Sequence, residues 1–476
     1  MNKNFKNLAL YFTANIIPQL LTFILLPLYG RVLSLEEYGT IGLLEVVSYI
    51  AIATITLSLE RAAIRFYSSC NSEQEIKTIY GAIFYGALAI GLLILTIGGG
   101  VYISIPVSYV SNIVTLGMII VLSIFMKSLF LIICRYFQAK QCASMFFALQ
   151  MGRVCIEFSL IIYFVAFLKL GVEGYVYALL LTSIITVPVL FITVWRHFSI
   201  NFNRQQFYRV LKYSVPFVPT IMSAWVFNMF GRVAVEIVEG SDAVGLYSMA
   251  YKLASAGILI VTAIQMAYTP IFLELTKDKE FGKEKINNYT MLINKTLLLG
   301  FAIMAFVFSE YIELLSGEKY AGISTIGILF LLTFYASSVM SVTSNLIYAE
   351  QEKTAQHMRI YLVFSVVAFI VISISAYFFG MYGAVVGQLI VVFSLYYVHV
   401  KEAQKLKNIL IPSIQAIILS SLGIGIFGLV GEIGYIFLLE SLWLLIIAKV
   451  SLALFVCFFL FKKEIVSFVK YQKFKS

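Results

Sequence analysis

Charge is what this chain has little of. Only 12% of its 476 residues are Asp, Glu, Lys or Arg, about half the ~25% usual in soluble domains. Hydrophobic residues reach 61% and the mean hydropathy is +0.95. A water-soluble fold cannot bury that much apolar surface, so that class is excluded. Histidine is scarce too, at three residues, and the five cysteines, Cys70, Cys134, Cys142, Cys155 and Cys457, show no metal-ligand spacing. No metal site is expected, and the first three cysteines fall at helix ends on the side argued below to be cytoplasmic, which disfavours disulfides. There is no GxxxxGK[ST], so this chain has no P-loop through which ATP could act. No gap between apolar stretches is long enough for a separate soluble domain. The net charge of +10 raises nucleic acid as a partner, but the cations sit at helix ends, where they serve membrane topology, and no nucleic acid is expected.

What is present is a series of fourteen apolar stretches, near residues 8–29, 40–59, 79–104, 109–133, 145–168, 174–195, 213–238, 244–272, 289–309, 320–347, 360–379, 382–399, 411–430 and 435–461. Each is long enough to cross ~30 Å of hydrocarbon as a helix. The first, Leu8 to Tyr29, is too long for a cleaved signal and has no small-residue cleavage site after it. Lys and Arg crowd every second gap: Arg61, Arg65 and Lys77; Arg135 and Lys140; Arg196, Arg204, Arg209 and Lys212; Lys277 to Lys285; Lys353 and Arg359; Lys401 to Lys407; and the tail after Lys462. The other gaps hold little more than Arg31, Lys169 and Lys319. By the positive-inside rule both termini are cytoplasmic and the expected fold is all-α, integral to the membrane, with about fourteen transmembrane helices.

A weak internal repeat joins the two halves. Pro18 and Gly30-Arg31 recur as Pro219 and Gly231-Arg232, 201 residues on. Glu37-Tyr38-Gly39 is matched by Ala243-Val244-Gly245 at offset 206, and Glu173-Gly174-Tyr175-Val176 by Tyr382-Gly383-Ala384-Val385 at 209. Six spans separate the copies, an even number, so they run parallel. The expected organisation is an N-lobe over 1–200, a C-lobe over 201–408, and two further helices with a basic cytoplasmic tail over 409–476. Parallel-repeat transporters hold substrate between lobes that rock.

Three segments carry a family resemblance: Pro27-Leu28-Tyr29-Gly30-Arg31-Val32-Leu33-Ser34 with Glu37-Tyr38-Gly39; Arg61-Ala62-Ala63-Ile64-Arg65-Phe66-Tyr67, closing span two; and Tyr213 to Pro219 opening span seven, followed by Gly245 to Lys252. With these the chain resembles the polysaccharide (O-antigen repeat-unit, Wzx-type) flippases of the multidrug/oligosaccharidyl-lipid/polysaccharide (MOP) exporter superfamily. The resemblance implies movement of an undecaprenyl-diphosphate-linked oligosaccharide, an O-antigen or capsule unit of lipopolysaccharide-type polysaccharide biosynthesis, from the cytoplasmic to the outer leaflet of a bacterial inner membrane. It also implies a polymerase and a chain-length regulator as functional neighbours. Peptidoglycan-precursor (lipid II) flippases and multidrug/cation antiporters of the same superfamily are the alternatives. An acidic residue before the span-seven cation is a common family feature; here Gly231 precedes Arg232.

Charges at bilayer depth are expensive, roughly 2.5–3.5 kcal/mol each on insertion scales, and normally face protein or a wet cavity. Lys127, Arg153 and Lys295 fall in the cytoplasmic halves of their spans, and Arg232 and Lys252 in the outer halves. Facing them are Glu45, Glu157 and Glu236. An excess of buried cation suits an anionic diphosphate, which Arg grips bidentately and Lys meets as a point charge. Lys127, Arg153, Arg232 and Lys252 are therefore the expected substrate-binding cations. Glu157 and Glu236, each four residues after an arginine, are the expected charge partners. Lys449 in span fourteen suggests a lipid-tail groove or a helix contact. Pro18 and Pro219 are candidate hinges, and Tyr29, Tyr67, Tyr80, Tyr251 and Tyr320 candidate interfacial anchors. Glu310, Glu313 and Glu37 belong with a solvated outer rim. No nucleophile–base pair emerges, so no enzyme is expected. No cofactor is expected either, and coupling to a proton or sodium gradient is the implied energy source.

Overall fold

The computed structural model describes residues 3–104, 112–275, 282–348, 354–406, 412–437 and 449. These are helical, with no strand among them. In order, the helices are α1 (Lys3–Val32), α2 (Leu35–Thr56), α3 (Leu59–Tyr67), α4 (Glu73–Ser104), α5 (Asn112–Ala139), α6 (Ala143–Ile161), α7 (Gly171–Ile185), α8 (Val187–His197), α9 (Arg204–Ser214), α10 (Val218–Glu239), α11 (Ser241–Ala254), α12 (Ala256–Leu275), α13 (Gly282–Phe306), α14 (Phe308–Ser316), α15 (Ser324–Tyr348), α16 (Thr354–Leu406) and α17 (Ile414–Phe437). A π turn, Ile162–Phe167, extends α6, and a 3-10 turn, Val215–Phe217, joins α9 to α10.

Twelve of the described helical stretches are long and apolar enough to cross a membrane. The protein is a multi-pass membrane protein. One of the twelve, Met358–Glu402, has 45 residues; straight, it would be ~67 Å long, about twice the hydrocarbon thickness. Its helical backbone breaks at Phe379 and Gly380, where the sequence places the joint between spans eleven and twelve. Helix α17 runs on through Gly431 and Gly434 to Phe437, past the expected boundary between spans thirteen and fourteen; the rest of the expected fourteenth span, apart from Lys449, and the basic tail lie outside the described residues.

Local signals place the helix starts. Ser34 caps α2: its Oγ accepts from the Glu37 N–H at 3.0 Å while Glu37 Oε2 accepts from the Ser34 N–H at 2.7 Å, a capping box. Glu37 is thus a cap and not simply rim. Arg61 to Tyr67 do not close span two: Leu57 and Ser58 turn left-handed (φ 43° and 61°), and α3 starts afresh. Pro18 lies inside the continuous α1, whereas Pro219 sits in the first turn of α10, where no intrahelical N–H is lost. The break ahead of α10 is the 3-10 turn.

The chain divides into two compact units, residues 1–248 with 361–384, and residues 249–360 with 385–476. In unit one α5 is central, with α2, α3, α4, α6 and α7 packed on it, and α10 lies on α2. Its core runs from Leu44 and Ile55 through Tyr80, Phe130 and Phe146 to Val210. In unit two α13 is central, against α12, α15 and α17. Several tyrosines expected as interfacial anchors are core instead. Tyr80 is fully buried, its hydroxyl donating to the Ala63 carbonyl at 2.5 Å. Tyr29, Tyr251 and Tyr320 are buried as well. The lipid-facing layer is built from aliphatic and Phe side chains such as Val363, Val366, Phe378, Leu419 and Ile426, all exposed.

The repeat has a structural signature. Gly171 and Gly380, 209 residues apart, both have positive φ (+56° and +57°), and a Cβ on either would strike a glutamate oxygen, Glu37 Oε1 at 2.1 Å and Glu239 Oε1 at 1.7 Å. Glu239 Oε2 also accepts from the Met381 N–H at 3.1 Å. Each turn between paired spans is therefore glycine seated on a carboxylate, for which only glycine has both the backbone freedom and the room.

Candidate functional site

The helices of the two repeats meet at α2 and α11. A Cβ on Gly39 would lie 1.9 Å from the Ser241 carbonyl oxygen, and one on Gly245 would lie 2.2 Å from the Leu35 carbonyl oxygen. These are the sequence-matched glycines, each seated on the backbone at the other helix's start. One turn deeper, Gly42 faces Ser248 Oγ, where a Cβ would sit at 2.5 Å. Small residues let membrane helices approach to backbone contact. The Lys/Arg distribution predicts the outer side for this contact, at which α2 and α11 approach closely. The Gly39→Ala exchange should hold this contact open. In a cysteine-free background carrying Ser248→Cys, at a position where the serine is 2% exposed, an impermeant maleimide added outside should label at least about tenfold faster after the exchange; unchanged labelling would contradict the closure.

Beneath the contact lies a charge cluster within unit one. Arg232, 1% exposed on α10, pairs with Glu45 of α2 at 3.3 Å. The preceding Gly231 has a physical reason: its Cβ would lie 2.0 Å from the Tyr247 hydroxyl, so an acidic side chain does not fit there, and α2 provides the carboxylate instead. Glu236, the expected partner, takes the Ser241 hydroxyl at 2.9 Å.

Arg153 on α6 is buried and pairs with Glu157 at 3.7 Å, as the i,i+4 spacing predicts. Its guanidinium also donates to Thr186 at 3.4 Å and Ser183 at 3.3 Å, and lies over the Phe130 ring at 5.5 Å. Helix α7 packs both on α2, which carries Glu45, and on α6, which carries Arg153 and Glu157. The two ion pairs thus belong to one polar cluster. Its arginines are buried, while Glu45 and Glu157 keep about a quarter of their side chains exposed (24% and 23%). Cation and anion balance in it, so the expected cation excess does not arise at this cluster. Lys127 is half-buried on α5 and stands outside these pairs; Lys252, half-buried on α11, falls in unit two.

Unit two has its own buried pair. Lys449 meets Glu310 in direct contact, and its Nζ also donates to the carbonyls of Gly431 at 2.7 Å and Phe306 at 3.3 Å. Glu310 is 1% exposed and not part of a solvated rim; Glu313 accepts from the Tyr435 hydroxyl at 2.6 Å. The break between α13 and α14 at Val307 leaves backbone carbonyls to be satisfied inside the membrane protein. Lys449 answers that need, so it is a helix contact. Sequence reasoning missed the reciprocal glycines as site elements, although the Gly39/Gly245 match was their visible trace. Among the described residues no group of His, Cys, Asp or Glu has the arrangement of a metal site.

Comparison with known proteins agrees with this architecture. Residues 5–276 match the model of the family described as "Polysaccharide biosynthesis protein". A protein of the Lsg locus of Haemophilus influenzae is 19% identical over 421 residues, covering 85% of this chain and all of that protein. Among solved structures, the lipid II flippase MurJ in an inward closed conformation superposes with a TM-score of 0.72 at 15% identity, covering 96% of this chain and 99% of MurJ. An inward-facing multidrug resistance MATE family transporter of the MOP superfamily gives 0.65 at 17% identity, covering 82% of this chain and 96% of its own. The chain belongs to the polysaccharide biosynthesis protein family and has the fold of the MOP superfamily transporters.

Proposed function

We propose that the protein flips an undecaprenyl-diphosphate-linked oligosaccharide from the cytoplasmic to the outer leaflet of a bacterial cytoplasmic membrane by alternating access. The observation that carries this reading is the pair of buried arginines held by partly exposed glutamates directly beneath a closable glycine contact. Arginine suits a diphosphate through paired, charge-assisted hydrogen bonds. A diphosphate reaching the cluster competes with Glu45 for Arg232, which breaks the tie between α10 and α2 and loosens the Gly39–Gly245 contact above it. The N-lobe and C-lobe then rock, and the headgroup passes outward. Return of the carboxylates to the arginines resets the cycle, and a proton or sodium gradient drives it. A polysaccharide polymerase and chain-length regulator act downstream on the flipped unit.

Membership of a polysaccharide family favours an oligosaccharide cargo over a drug cation, and the likeness to MurJ keeps lipid II as the second cargo. Depletion of the protein in its own cell, followed by assay of lipid-linked sugar sidedness, separates them. The expected result is accumulation of the polysaccharide repeat unit on the cytoplasmic leaflet with lipid II sidedness unchanged. Accumulation of lipid II instead supports the second cargo, and unchanged sidedness of both removes the flippase reading.

A further inference from the structure

The cytoplasmic end of unit one carries a feature that transport does not use. Helix α9 packs its inner face on α3 and α4: Val210 and Ser214 are fully buried, and the Phe207 ring fills the place where a Cβ on Gly86 would be, 2.0 Å away. The loop before it is tied down by a bond from the Ser199 N–H to the Lys77 carbonyl at 2.9 Å. The outward face is of a different kind. Ile200 is 66% exposed, Phe202 48% and Tyr208 67%, and they alternate with the exposed cations Arg204, Arg209 and Lys212. Arg209 lies over Phe66 of α3 at 5.2 Å, and Arg61 of α3, also exposed, over Phe217 at 5.4 Å. Just upstream, exposed Trp195 stacks on Phe191 at 6.1 Å, a side chain that settles at headgroup depth. Of the nearby acids, Glu73 is paired with Lys77 at 3.7 Å and Glu75 accepts from the Asn71 N–H; Glu60 is half-buried on α3.

We propose that α3 and α9 form a shelf that docks on anionic phospholipid headgroups of the cytoplasmic leaflet, with Ile200, Phe202 and Tyr208 entering the interface and Arg61, Arg204, Arg209 and Lys212 meeting lipid phosphates. Apolar and aromatic side chains beside Lys and Arg are the chemistry of an in-plane interfacial helix. The cytoplasmic leaflet carries the complementary charge, and each basic residue near it adds about fivefold to binding. Since α9 runs through the 3-10 turn into α10, the lipid grips the base of the helix that carries Arg232. The content of anionic lipid then regulates how freely that helix moves.

The test needs no cargo. The full chain is placed in nanodiscs of phosphatidylcholine alone, or with about 30% phosphatidylglycerol, and amide hydrogen exchange is followed over residues 204–214. The expected result is exchange about tenfold slower with the anionic lipid, lost at high salt. The Arg204→Gln/Arg209→Gln/Lys212→Gln variant should exchange alike in both discs, while Arg31→Gln, an exposed cation on the other side, should keep the full lipid effect. Equal exchange of the unaltered protein in the two discs overturns the proposal, as does a lipid effect that survives the triple exchange. Intact protection of α5 in the triple variant shows that it has folded.

Discussion

The Arg232→Ala exchange should trap the lipid-linked unit on the cytoplasmic leaflet, with transport down at least about tenfold. Two effects combine. The cargo loses a bidentate donor for its diphosphate, and Glu45 loses its buried counter-charge. Removing one partner of a buried pair typically destabilises by roughly 3–5 kcal/mol, an upper bound here because a quarter of Glu45 is exposed (24%). The two effects separate in the pair Arg232→Met/Glu45→Leu, which removes both charges with little change in volume. Its thermal stability in detergent should return close to that of the unaltered protein, because no orphan charge remains, while sidedness stays defective. Arg232→Lys should be intermediate in transport, keeping the charge without the planar fork. Normal transport by the doubly neutral variant would make the pair structural and remove Arg232 from the pathway. Arg153→Ala should lose transport as Arg232→Ala does and lose stability as well, since Arg153 also hydrogen-bonds Ser183 and Thr186 in addition to pairing with Glu157.

The largest effect on stability is expected at Lys449→Met. Glu310 would then be a carboxylate 1% exposed with its cation gone, and the Gly431 and Phe306 carbonyls would lose their lysine donor. A destabilisation of roughly 3–5 kcal/mol is expected, or about 10 °C in thermal midpoint at ~2–4 °C per kcal/mol. Adding Glu310→Leu should recover most of it, since the unpaired charge dominates. Melting of the purified protein in detergent checks both values. A single variant as stable as the unaltered protein would mean that water reaches the pair, and a double variant no better than the single would put the weight on the backbone carbonyls.

The sequence by itself determined that the chain is a series of membrane-spanning helices with a joint at Gly380, because crossing hydrocarbon is a local requirement: a run of about 20 apolar residues meets it wherever its neighbours lie. It determined the expected sidedness for the same reason, since each gap's cations act on their own flanking helices. It also displayed the repeat, whose glycine matches mark positions where the backbone itself is constrained. It reached Arg153–Glu157, both partners being on one helix face. Tertiary structure alone decided that Arg232 pairs with Glu45 and not Glu236, that Lys449 and Glu310 meet, and that Gly39 and Gly245 touch. Those pairings depend on how helices are rotated and aligned against one another. A helix apolar nearly all round, as most of these are, has no polar stripe to tell which face meets protein and which meets lipid. The turns at Gly171 and Gly380 illustrate the limit: the glycines match in sequence and their carboxylates, Glu37 at the start of α2 and Glu239 at the end of α10, are 202 residues apart, yet the two glutamates sit at opposite ends of their helices, and only packing shows that they take equivalent roles.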